Sequence, residues 1–116
     1  MISIDDFKKL EIRVGKILSA EKIPDTDKLL KLSVDFGEAA PRQIVSGIAT
    51  HFPDAAVLVG KRVAFAANLE PRTIRGLESQ GMILAVSGEG AADGTFAPSF
   101  SLLETNVDIP PGSLVK

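Results

Sequence analysis

The sequence has no cysteine, no tryptophan and no tyrosine, and it has a single histidine, His51. Each absence removes a class of chemistry. Without cysteine there is no disulfide, no thiolate nucleophile and no cysteine-ligated zinc, and a reducing cytoplasm is the expected setting. One histidine leaves no all-histidine or mixed His/Cys metal site, so neither a metal nor a cofactor is expected. Six phenylalanines are the whole aromatic complement. Phe36 and Phe65 fall at inward strand positions and Phe7 packs a short helix on the core, which leaves little to stack bare bases. Generic coating of single strands depends on such aromatic platforms and is disfavoured. Long apolar runs are missing too. The longest, Ala55 to Val59 and Met82 to Val86, are far below the roughly 20 residues of a membrane span. Met1 to Leu10 is too charged for a signal peptide. No membrane partner is expected.

What is present is a chain of one-domain size, 116 residues, with no room for two independent cores. A chain of this length buries roughly two thirds of its unfolded surface and folds without staples. Residues 1–116 are read as one domain, a barrel over about 11–86 and a C-terminal extension over 87–116. The net charge is −2, but its distribution carries more information. Residues 41–86 hold five bases (Arg42, Lys61, Arg62, Arg72, Arg75) against three acids, and residues 87–116 hold Lys116 against four acids. A modest basic face in the middle of the chain suits an RNA partner of moderate, salt-sensitive affinity.

Hydrophobic periodicity supplies the elements. Ser3 to Leu10 reads as a short helix with Ser3 as cap and Asp6 completing a capping box. Glu11 to Ile23 reads as a long strand in which Gly15 shifts the phase, predicting a bulge or bend there. Pro24 to Asp27 is a turn. Leu30, Leu32, Val34 and Phe36 alternate with Lys31, Ser33 and Asp35, the period of a half-buried strand. Arg42 to Ile48 is a third strand and Ala49 to Gly60 a helix, with Pro53 near its start and Gly60 as its stop. Lys61 to Leu69 is a fourth strand, with Val63, Phe65, Ala67 and Leu69 inward and Arg62 and Asn68 outward. Glu70 to Gly81 reads as a loop, Met82 to Val86 as a fifth strand, and Phe96 to Leu103 as a further strand or hairpin. Three strands, a helix and two strands is the order of the OB-fold, an all-β, five-stranded Greek-key barrel, and a long bent first strand serves closure.

Catalysis finds no support. His51 is near no nucleophile elbow, since Ser46-Gly47 and Ser79-Gln80-Gly81 lack the G-x-S-x-G pattern. It reads as an ordinary loop or helix-end residue. Asp5-Asp6 and Asp25-x-Asp27 are explained by a helix start and a turn, and there is no P-loop and no G-x-G-x-x-G. No catalytic residue is assigned. A polar, weakly basic loop system remains. Arg72-Thr73-Ile74-Arg75-Gly76 places two guanidiniums three residues apart, and arginine forks match phosphate bidentately. Lys28 and Lys31 lie at the start of the second strand, and Asn68 and Ser79 add neutral hydrogen-bonding groups. Singly these are solvated surface residues; gathered around one loop they make a phosphate-contacting surface.

Those stretches carry a resemblance. Glu11 to Ile17 (EIRVGKI), Pro24 to Leu32 (PDTDKLLKL), Arg42 to Ala49 (RQIVSGIA), Gly60 to Val63 (GKRV), Asn68 to Gly76 (NLEPRTIRG) and Ser79 to Met82 (SQGM) resemble the tRNA-binding domain family, in the same order and spacing. The family includes the C-terminal domain and beta subunit of methionyl-tRNA synthetase, dimeric structure-specific tRNA-binding proteins, and the endothelial-monocyte-activating polypeptide domain. The ending Pro111 to Lys116 also looks like the synthetase domain's terminus. The resemblance implies a non-catalytic OB-fold that recognises the outer corner of folded tRNA by shape, a homodimer shaped by residues after the barrel, and association with a synthetase catalytic domain. It places Ser79 and Met82 in the RNA-binding surface, with Lys31, Asn68, Arg72 and Arg75 at its basic and amide positions. Many members have histidine and alanine where this chain has Ile23 and Thr26, so no role of that histidine transfers. The stretch from Ser87 to Asn106 matches less well. A dimeric, secretion-related chaperone branch shares the barrel and would bind apolar peptide instead; the intact Arg72–Gly76 and Ser79–Met82 motifs favour tRNA. Met1 opens either a stand-alone protein or a domain cut from a longer chain.

Overall fold

The computed structural model describes residues 1–95 and 97–116. The chain begins with helix α1 (Ile4–Lys8), started by the expected capping box: the Ser3 hydroxyl accepts from the Asp6 N–H, and the Asp6 carboxylate accepts from the Ser3 N–H. The Ser3 N–H, and after it the Lys9 ammonium, hold the Asp6 carboxyl below its ordinary range. Strands β1 (Ile12–Lys22), β2 (Leu30–Asp35), β3 (Arg42–Ser46) and β4 (Arg62–Ala66) follow. Next come β5 (Arg72–Ile74), β6 (Leu77–Ser79), β7 (Met82–Ile83), β8 (Ala85–Gly88) and β9 (Ser99–Leu102). Phe96, the start of the last expected strand, lies outside the described residues.

Five strands form one antiparallel sheet in the order β3-β2-β1-β4-β7, curled into a nearly closed barrel of the OB type. Its long first strand serves both neighbours, since Lys16 pairs with Asp35 of β2 and with Arg62 of β4. The bend does not fall where the glycine predicted it. The register slips between Ile17 and Ser19, which leaves Leu18 bulged and exposed. Gly15 has a different task. A Cβ there would lie 2.9 Å from both Phe36 and Phe65 and would overlap Val34, so its missing side chain makes room for the largest core rings. Phe36 and Phe65 meet edge-on at 5.3 Å and 78°.

Strand β2 alternates buried and half-buried residues as its sequence period requires. Its inward Leu30, Leu32 and Val34 join Ile17, Ile44, Val63 and Phe65 in the barrel interior. Each such side chain contributes about 1.5–3 kcal/mol by leaving water. The expected helix over Ala49 to Gly60 is instead two 3-10 turns, Ala49–His51 and Ala55–Leu58, the second capped by Asp54. Pro53 between them interrupts any continuous ladder, and Leu58 plugs the core from the second turn. Val63, Phe65 and Ala67 point inward as expected, but Leu69 does not: it lies beyond the end of β4 and is 44% exposed.

The fifth strand is also divided. β7 closes against β4, whereas β8 leaves the barrel and pairs with β9 as a separate hairpin. After β9 the chain straps both barrel edges. Leu103 accepts from the Ala64 N–H, and Thr105 donates to the Arg62 carbonyl along β4. Gly112 donates to Val14, Val14 donates to Ser113 and Val115 donates to Ile12 along β1, beyond the point where β2 stops. Two guanidiniums clamp the strap: Arg62 donates to the Val107 and Ile109 carbonyls, and Arg13 donates to the Gly112 carbonyl.

The steric argument at Gly15 makes a prediction. Gly15→Ala overpacks the ring pair and costs about 1–3 kcal/mol, which lowers the melting temperature by about 4 °C or more. A melting curve superimposable on that of the parent would refute the assigned role.

Candidate nucleic-acid interface

The segment read as a loop from Glu70 to Gly81 is a hairpin. β5 and β6 pair from Arg72↔Ser79 to Ile74↔Leu77, joined by the two residues Arg75 and Gly76. Both have positive φ, 54° and 78°, the conformation of a type I′ turn matched to strand twist. Arginine is unusual there. Its guanidinium donates to the Asp25 carbonyl at 3.3 Å, so the hairpin tip leans on the turn between β1 and β2. The sequence hid this hairpin because Arg-Gly is not the Asn-Gly or Asp-Gly signature.

The base of the hairpin is built into the barrel. The Val45 N–H donates to the Ser79 hydroxyl at 3.0 Å, and that hydroxyl donates to the Gly81 carbonyl at 3.1 Å. The Gln43 N–H donates to the Gln80 side-chain oxygen, and the Gln80 N–H donates back to the Gln43 carbonyl. Thus the free edge of β3 is satisfied largely by side chains of the Ser79–Met82 motif. Gly81 is needed because a Cβ would press on the Ala66 carbonyl and the Ile44 side chain, 3.1 and 3.2 Å away. Arg42, not singled out from the sequence as a site residue, pins the same seam. It donates to the Ala67 and Gln80 carbonyls, grips Glu38 with both arms at 2.8 and 2.9 Å, and lies 5.1 Å from the Phe36 ring centre. The Arg42 bond holds the Glu38 carboxyl below its ordinary value, and Glu38 in turn raises the guanidinium.

Of the seven residues assigned to the surface, the structure draws most around this hairpin and its neighbouring turn. Arg72, Ser79 and Met82 line one small pit with Val45, Leu69 and Gly81. Lys28 and Arg75 line an open groove with Asp25, Thr26 and Asp27. Lys31 pairs with Val45 across β2 and β3 and shares its outward face, beside the pit, but its ammonium lies 3.4 Å from the Glu21 carboxylate.

Two of the seven are committed elsewhere. Ser79 is 4% exposed and both its hydrogen bonds are internal, so its hydroxyl forms the floor of the pit. The Asn68 side chain accepts from the Glu11 N–H and donates to the Lys9 carbonyl, each at 2.7 Å, tying the start of β1 to the end of β4. Met82 is 47% exposed and forms an apolar rim with Leu69; it is not a core residue. Among the described residues no cluster of His, Asp or Glu is arranged to hold a metal ion.

A curled five-stranded barrel with a polar hairpin leaning over its first turn defines an OB-type binding domain. The comparisons narrow the class. Residues 12–113 match the family described as "Putative tRNA binding domain". Over its full length the chain is 50% identical to a methionine–tRNA ligase of Methanosphaerula palustris, and over 78% of its length it is 55% identical to that of Methanocella arvoryzae. It spans only 16% and 13% of those relatives. The crystal structure of a MetRS-related protein from Pyrococcus horikoshii matches all of this chain and 98% of its own, with TM-score 0.84 and 38% identity. The chaperone CsaA of Bacillus anthracis matches all of this chain and 99% of its own, with TM-score 0.76 and 25% identity. The chain belongs to the tRNA-binding domain family, a non-catalytic module that the methionine–tRNA ligases carry as an appendage.

The two halves of the Ser79–Met82 motif separate in a stability experiment. Ser79→Ala strands the Val45 N–H and costs about 1–3 kcal/mol. Met82→Ala removes a half-exposed side chain and costs less than about 1 kcal/mol. Urea denaturation checks both, and equal losses would contradict the separation of roles.

Proposed function

We propose that the protein binds folded tRNA by shape and backbone and, in the cytoplasm, assists methionyl-tRNA synthetase as a fused domain or separate subunit. The observation that carries this reading is the hairpin of Arg72 and Arg75 docked on the turn that carries Lys28. Guanidinium forks match phosphate oxygens bidentately. Arg75 is already held by the Asp25 carbonyl, which lowers the ordering cost of contact. A paired A-form segment offers its backbone and 2′-hydroxyls while its deep groove hides the base edges, so rigid, spaced cations suit shape recognition. Asp25, Asp27, Glu70 and Glu78 flank these cations and temper the field, in keeping with moderate affinity. Met82 and Leu69 add an apolar rim fit to meet a sugar or base edge.

The same rim supports a second reading, in which the surface receives an apolar peptide, as the fold's likeness to CsaA chaperones invites. Filter binding with whole tRNA and with an unstructured RNA of equal length separates the two. We expect tRNA to win, with a log–log salt slope of about −2 to −4. Arg72→Ala and Arg75→Ala should each weaken binding of all tRNAs alike and flatten that slope by about one unit. Unchanged affinity in both variants would leave the peptide reading ahead.

We also propose a homodimer. Val86 on β8 and Leu103 just after β9 remain 53% and 43% exposed, uncovered by the strap that was expected to shield this part of the chain. A second copy seated there removes both from water. Sedimentation at micromolar concentration should give twice the 12.3 kDa chain mass, and a single-chain species alone would overturn the dimer.

A further inference from the structure

The histidine read from the sequence as an ordinary loop residue has an unusual partner. His51 ends the first 3-10 turn and lies flat on Phe100 of β9, with ring centres 3.8 Å apart and planes 4° from parallel. Phe100 is half-buried and meets Phe52 edge-on at 5.9 Å and 75°, and both phenylalanines pack against the core. The imidazole itself is exposed. A column of three rings therefore rises from the core and ends in a flat ring facing water.

The position of this column favours a nucleic-acid ligand. The Ala49 N–H donates to the Lys28 carbonyl at 2.9 Å, so His51 stands two residues from a direct bond to the turn that also receives Arg75. The groove beside the ring, about 320 Å³, is bordered by Ser87, Ser99 and Pro98, which offer hydroxyls to the edge of a planar ligand. A ring already supported from below loses little freedom when a second ring lands on it. An unpaired base offers a free face, whereas a base inside a helix has both faces occupied by its neighbours.

We propose that His51, backed by Phe100, is a stacking platform for one unpaired base of the bound tRNA. It lies apart from the phosphate-facing arginines and rests on the tRNA reading above. The phosphate contacts set register on the RNA, and the platform selects a tRNA region in which a base stands free of the stack.

In filter binding with a tRNA transcript, His51→Ala should weaken affinity by about 5- to 100-fold, the range of one lost base–aromatic stack. The salt slope should not change, because no phosphate contact is removed. His51→Phe, which keeps a flat ring, should restore most of the affinity. In the parent protein the His51 ring protons should move upfield in the NMR spectrum as tRNA is added, a readout independent of how any variant folds. His51→Ala binding like the parent, or ring protons that stay in place in the complex, would overturn the platform. If Arg72→Ala and Arg75→Ala lose tRNA while the His51 measurements show nothing, the platform fails and the tRNA reading stands. A parent chain that binds no tRNA overturns both. Upfield shifts produced by an unstructured apolar peptide and absent with tRNA would overturn the platform in favour of a peptide site.

Discussion

The structure depends on how the outer edge of β3 is closed. A curled sheet of five strands still has two edges, and an unpaired edge leaves backbone amides that must find partners or stay wet. Here the closing partner is not a full strand. The Ser79 hydroxyl and the Gln80 carboxamide reach the Val45 and Gln43 amides, and Arg42 gathers the Ala67 and Gln80 carbonyls from the other direction. Because this seam is made of side chains, the backbone after it is free to rise away as the β5–β6 hairpin. Closure and the candidate interface are one piece of construction.

That economy explains why motif residues divide into two kinds. Ser79, Gly81 and Asn68 are needed where they are by the barrel: one fills an edge, one avoids a carbonyl, one ties β1 to β4. Arg72, Arg75, Lys28 and Met82 stand exposed on what the first group holds in place. A short motif such as Ser79–Met82 therefore mixes support with surface. Its residues, though adjacent in sequence, respond to different physical demands.

The C-terminal strap works on the same principle. It extends the barrel along β4 where β7 ends and along β1 where β2 ends, and it carries main-chain hydrogen bonds to edges that would otherwise be open. Arg13 and Arg62, which the basic balance of the chain would assign to a nucleic-acid partner, are turned onto its carbonyls. Counting positive residues along the sequence overstates the charge offered to RNA. The strap also leaves the β8–β9 hairpin standing off the barrel, where Phe100 meets His51.

The sequence alone determined what short-range physics governs: the alternation of β2, the capping box of α1, the turn after β1, and the strand order that points to a closed barrel. Family motifs made the exposed arginines legible as well. Tertiary structure decided everything that rests on contacts distant in sequence. Gly15 was recognised as special, but its reason, the two rings packed over it, comes from strands 20 and 50 residues away. The helix expected over Ala49 to Gly60 became two turns, with Leu58 drawn into the core. Asn68 and Ser79 carry no local mark of burial in their hydrogen bonds. Leu69 and Met82 are apolar yet face water, because the barrel was already full. Periodicity reports which face of a segment wants to be dry, but only the closed barrel decides which amides lack partners and which side chains must supply them.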